Sequence, residues 1–157
     1  MKKLIVFSLI IFASISYAQI ESFDSEYIDE IKQDAWGTYL EIIDDNLALT
    51  EEQAEIFLPI LNNYIADLNK VVDMRVKNTE EYMINYYSLD DSTARKLLNQ
   101  AVEVEQERMN IKREYMAKML EKLPAPLVGK FFQLDARISA LMDLVRMSSI
   151  PLVREEE

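Results

Sequence analysis

The chain has 157 residues, a formal net charge of −11, no histidine, no cysteine and only two glycines. Without histidine and cysteine there is no Ser-His-Asp or Cys-His nucleophile, no structural zinc site and no Glu-x-x-His pair of the di-iron bundles. Two glycines cannot serve the turns of an all-β or α/β protein of this size, and the negative field disfavours nucleic acid and anionic lipid as partners.

Met1-Lys2-Lys3, an apolar run from Leu4 to Ile15, and the small residues Ser16 and Ala18 form a secretory signal peptide over residues 1–18. The run is shorter than the ~20 residues that span a bilayer, so cleavage after Ala18 is expected rather than an uncleaved anchor. That places the rest of the chain, residues 19–157, in the periplasm as one domain without membrane insertion. An exported chain without cysteine must hold together by packing alone.

The first helix is expected over about residues 24–45, capped by Asp24 or Ser25. Phe23, Tyr27, Ile31, Trp36, Tyr39, Leu40 and Ile43 recur at spacings near three and four and give it one apolar stripe. Gly37 beside the lone Trp36 suggests a close helix crossing.

Leu49-Thr50-Glu51-Glu52-Gln53-Ala54 opens the second helix, expected over 51–87. Thr50 and Gln53 have the spacing of a reciprocal capping box, with Leu49 and Ala54 as its hydrophobic staple. The apolar positions Ala54, Leu58, Leu61, Ile65, Leu68, Val72, Val76, Thr79, Met83 and Tyr86 sustain the helix past Pro59, which should bend it. A helix of about 36 residues is roughly 55 Å long. A compact globule of this size is only about 40 Å across, so the molecule should be elongated and curved, or completed by a second copy.

A second version of the motif, Leu89-Asp90-Asp91-Ser92-Thr93-Ala94, lacks the glutamine but keeps a capping residue in Asp90. The helix it opens, expected over 91–122, carries Ala94, Leu97, Leu98, Ala101, Val104, Ile111, Tyr115, Met119 and Leu120 as its stripe. Leu123-Pro124-Ala125-Pro126 ends it and starts a fourth helix, expected over 126–148, on a fainter copy of the same plan. Its stripe is Val128, Phe131, Leu134, Ile138, Leu141, Met142 and Val145. The fold class is therefore all-α: four helices, the long ones antiparallel, in a dimer.

Charge is unevenly spread. Residues 19–55 hold twelve acidic side chains against Lys32 alone, whereas Arg108–Lys130 is basic. The simplest account pairs the acidic first helix with that segment, within a subunit or across a dimer; the alternative is an acidic surface that recruits basic partners. Carboxylate pairs such as Glu51 with Glu55, or Glu103 with Glu107, are what so acidic a chain holds by composition. No catalytic residue, cofactor or metal ligand is assigned, and the chain is not expected to be an enzyme. The candidate partner-binding surface is aromatic and methionine-rich: Tyr82, Met83, Tyr86 and Tyr87 at the end of the second helix, and Met109, Tyr115, Met116 and Met119 on the third.

Leu49-Thr50-Glu51-Glu52-Gln53, after a signal peptide and before a long helix, resembles the signature of the Spy/CpxP-like periplasmic proteins. Leu123-Pro124, Lys130-Phe131-Phe132-Gln133-Leu134-Asp135 and Ile150-Pro151-Leu152-Val153 are similar to small exported helical proteins grouped loosely with them. The resemblance spans about residues 50–153. It implies a thin, curved, helical dimer of the envelope-stress response that shields unfolded clients or reports to a stress-sensing system. A chaperone-like protein is thus the first expectation, and a dedicated adaptor or sensor subunit of one envelope system the second.

Overall fold

The computed structural model describes residues 25–153, with side chains from Ile28 onward. The expected signal peptide, the caps of the first helix, Phe23 and Tyr27 of its stripe, and the tail from Arg154 lie outside what is described. Four helices follow one another: α1 (Ser25–Leu47), α2 (Glu51–Asn85), α3 (Asp91–Leu120) and α4 (Ala125–Ser149). Together they make an elongated, curved bundle, and α2 alone, with 35 residues, is about 52 Å long. No strand occurs among the described residues, and no described helix is long and apolar enough to cross a membrane.

The helix starts are set locally. Thr50 Oγ1 accepts from the Gln53 backbone N–H at 3.3 Å, and Gln53 Oε1 accepts from the Thr50 N–H at 3.1 Å, which completes the capping box of α2. Asp90 accepts from the Thr93 N–H at 2.7 Å at the start of α3. That backbone bond holds the Asp90 carboxyl below the ordinary aspartate range. The third start departs from the plan: Pro124 caps α4 with no side-chain hydrogen bond, leaving its carbonyl to accept from Leu127 and Val128. At the end of α1, Ala48 adopts φ 47°, a left-handed turn that ordinarily falls to glycine.

α2 and α3 form a long antiparallel hairpin; α1 runs antiparallel to α2, and α4 antiparallel to α3. The core is built from Phe57, Leu61, Tyr64, Leu68 and Val71 on α2, facing Val104, Ile111, Tyr115 and Met119 on α3. Tyr39, Ile43 and Leu47 from α1 and Val128, Phe131, Phe132 and Ile138 from α4 close it. Edge-to-face contacts link Phe57, Phe131, Phe132 and Tyr64, with centroids 4.8 to 6.0 Å apart.

The phase of α2 is a correction to the sequence reading. Its buried seam is Phe57-Leu61-Tyr64-Leu68-Val71, with heptad spacing, whereas Leu58 is 48 % exposed. Leu61 and Leu68 belong to both patterns, and the aromatic rings decide between them by the area they bury. Pro59 sits on the outer side of a helix that runs through it. Gly37 is also exposed, with nothing within 4 Å of where a Cβ would stand, so no close crossing requires it.

Within the subunit α1 comes beside the basic segment at Asp135, which Tyr39 and Lys112 share, but no ion pair joins the two among the described residues. Among the described residues the one ion pair that α1 makes with another helix is Lys32 with Asp73 of α2, at 2.7 Å. Three basic residues of that segment pair with other carboxylates: Lys112 with Asp135, Arg108 with Asp143, and Lys118 with Glu114.

Candidate partner-binding surface

Each helix sends one polar side chain into the middle of the bundle. Asp135 of α4, 2 % exposed, accepts through Oδ1 from the hydroxyls of Tyr39 (α1) at 3.1 Å and Tyr64 (α2) at 3.2 Å. Its Oδ2 accepts from Lys112 Nζ of α3 at 2.8 Å. Burial, and then the nearby Asp135 charge, push both phenols far above the ordinary tyrosine range. Both carboxylate oxygens are engaged by protein donors. The arrangement therefore fixes the four helices against one another through one buried carboxylate.

A second polar centre lies nearer the α2–α3 turn. Asp143 of α4 takes Arg75 (α2) at 3.3 Å, Arg108 (α3) at 3.2 Å and Arg146 (α4) at 3.4 Å, and Arg75 also binds Glu105. Around it the seam of α2 turns polar. Asn78 donates to the Leu97 carbonyl and to Gln100, both at 3.1 Å, and Tyr82 donates to the Pro151 carbonyl at 2.8 Å.

α3 carries a second apolar flank besides its core seam. Leu98, Val102, Met109, Met116 and Leu120 are spaced by fours and sevens, which keeps them on one side of the helix. Leu98, Val102 and Met109 are 68 %, 65 % and 55 % exposed; Leu120 is exposed as well, and Met116 packs partly against the core. From Leu98 to Leu120 this flank runs about 33 Å, with the charged Glu105 and Arg113 on the same side between its apolar members.

The expected site residues separate into three groups. Tyr87 and Met109 are exposed; Tyr82, Met83, Tyr86 and Met116 are half-buried; Tyr115 and Met119 belong to the core and are withdrawn from the candidate surface. Tyr82, Tyr86 and Tyr87 stack edge-on in a row, with centroids 5.8 and 5.0 Å apart. Tyr115 donates to Asp67 at 2.6 Å, and burial together with that bond pushes its hydroxyl up to about 12. Asp67 is held below the ordinary range by Lys70 first and Tyr115 second. Leu49, half-buried, packs against the core beside the Thr50–Gln53 box, and Leu89 is half-buried before Asp90.

Sequence reasoning missed the Asp135 centre and the open flank of α3. The first had a signal, a carboxylate at core spacing between Phe131-Phe132 and Ile138; the second had Leu98, Val102 and Leu120 at the same helical angle as Met109. An open groove of about 700 Å³ runs between α2 and α3. Asp67, Glu103, Glu107 and Glu114 line it against the single cation Lys70, with Ile111 and Met74 as apolar parts of its wall. Among the described residues no group of three or more carboxylates is arranged to hold a metal ion. Comparison with protein-family models, with curated proteins and with solved structures found no match for the chain.

Proposed function

We propose that the chain is an exported, periplasmic helical protein that binds other proteins, in a chaperone-like role during envelope stress. The observation that carries this reading is the open apolar flank of α3. Three large apolar side chains more than half exposed at regular helical spacing are a costly use of surface unless something covers them. Methionine suits such a surface, since its flexible thioether adapts to clients of varied shape. A flank 33 Å long accommodates an extended or helical segment of about 10 to 20 residues. Suppression of a model client's aggregation by near-stoichiometric protein is the expected result. Leu98→Glu with Val102→Glu and Met109→Glu, all at exposed positions, should abolish it without loss of helicity. A wild-type protein inert even at large molar excess would remove the reading.

The acidic groove between α2 and α3 favours a second reading, a dedicated adaptor or sensor subunit with one basic partner. Envelope extract would then yield one dominant partner, released by salt, where client holding would yield many.

A further inference from the structure

The second half of α4 is inside out. From residue 138 to 153 the charged side chains are Asp143 and Arg146 alone, and both turn into the bundle, where Asp143 meets Arg75, Arg108 and Arg146. Leu141, Leu144 and Met147, each 66 % exposed, take the opposite side, with Val145 at its edge. In the first half of the helix the order is the usual one, with Val128, Phe131, Phe132 and Ile138 buried. Beyond the helix end, Leu152 and Val153 extend the exposed apolar surface.

We propose that this face docks a second copy of the chain, through an isologous pairing of the C-terminal halves of α4. Charge argues for a second copy. Two molecules more acidic than the −11 of the full chain, since Lys2 and Lys3 leave with the signal peptide, repel over most of their surface. The strip 138–153, up to the charged end Arg154-Glu155-Glu156-Glu157, is formally neutral and its two charges are committed to intramolecular pairs. It is where two acidic molecules approach with least repulsion, and it offers no carboxylate to a basic partner.

Area argues the same way. Leu141, Leu144, Val145, Met147, Leu152 and Val153 together expose roughly 700 Å², near the ~800 Å² per partner of a standard interface. About a two-fold axis, antiparallel helices set Leu144 against its own counterpart and Leu141 against Met147 of the second copy. Such a pairing leaves the flank of α3 to its own partners, so it stands or falls independently of client holding.

The test is the mass of the exported protein by sedimentation from about 1 µM to about 1 mM. The wild type should reach the dimer mass and no higher. Leu144→Glu should raise the dissociation constant by about 30-fold or more, the effect of one central interface side chain, with an unchanged circular dichroism spectrum. Because the chain has no cysteine, Leu144→Cys supplies a single thiol. Mild oxidation should cross-link it into a covalent dimer, while Leu98→Cys on α3, its α4 face intact, dimerises without a covalent cross-link. A wild type monomeric throughout, open-ended oligomers, a dimer indifferent to Leu144→Glu, or no cross-link at 144 each overturn the proposal. A monomer whose Leu144→Glu variant loses aggregation suppression would assign the face to clients instead.

Discussion

Removing the Asp135 carboxylate tests whether the bundle is registered by its polar centre. Asp135→Ala leaves the Tyr39 and Tyr64 hydroxyls buried without an acceptor, at about 1–3 kcal/mol each. It also breaks the pair with Lys112; breaking a buried pair costs about 3–5 kcal/mol, and the lower end applies because Lys112 reaches solvent. The sum, discounted because the losses share one site, is about 4–6 kcal/mol, comparable with the whole stability of a marginal domain. Asp135→Asn keeps the shape and an acceptor for the tyrosines and loses the charge, so about 2–3 kcal/mol is expected. Replacing the whole centre, Asp135→Leu with Tyr39→Phe, Tyr64→Phe and Lys112→Met, leaves nothing unpaired and should recover most of the loss. Urea titration followed by far-ultraviolet circular dichroism gives each value. Both single variants within about 1 kcal/mol of wild type, or a quadruple variant no better than Asp135→Ala, would refute the reasoning.

Alkaline titration should unfold the protein steeply. Tyr39, Tyr64 and Tyr115 have folded pKa values raised above that of an unfolded tyrosine, the last to about 12. A raised pKa means the folded state holds the proton more tightly, so this stabilisation is complete below pH 10 and lost as pH climbs past it. Each phenol ionised only in the unfolded chain steepens the loss by about 1.4 kcal/mol per pH unit. Tyr115→Phe should flatten the fall between pH 10 and about 12, and an unchanged profile would count against its burial. At the backbone, Gly37→Ala and Gly129→Ala meet no neighbour within 4 Å and should each stabilise by about 0.5–1 kcal/mol. Ala48→Gly, at φ 47°, should add about 1 kcal/mol. Thermal melts check all three, and a destabilised Gly37→Ala would reinstate a close contact on α1.

What the sequence discloses here is what short-range chemistry decides. Thr50 and Gln53 are three residues apart, as are Asp90 and Thr93, so both starts can be read without knowing the rest of the fold. The rotation of α2 cannot, because its two candidate stripes share Leu61 and Leu68, and only packing of Phe57 and Tyr64 against α4 separates them. Tyr115 and Met119 repeat the spacing that buries Ile111, and that periodicity outweighed their chemical suitability for a contact surface. The Asp135 centre joins residues 71 and 96 positions apart, a coincidence that no local pattern encodes. In α4, Leu141, Met142 and Val145 continue the apolar spacing of Val128 and Phe131, yet lie exposed. The guanidinium groups of Arg75 and Arg108, on other helices, draw Asp143 inward and turn the leucines out.

The seam of α2 explains why spare apolar surface gathers where it does. At heptad spacing it reads Phe57, Leu61, Tyr64, Leu68 and Val71, and then Arg75, Asn78, Tyr82 and Asn85. The first part excludes water and supplies most of the burial free energy. The second part binds its neighbours by hydrogen bonds and ion pairs, which specify partners closely but add little net stability at partly exposed sites. Against a polar seam Leu97 and Val104 of α3 still turn inward, but fewer apolar side chains of the neighbouring helices find a place inside. Leu98, Val102 and Met109 on α3 and Leu141, Leu144 and Met147 on α4 are therefore outside at the end where α2 has stopped being apolar. The polar Arg75 and Asn78 instead tie α2 to α3 and α4 by hydrogen bonds and ion pairs and leave apolar side chains of both neighbours on the outside.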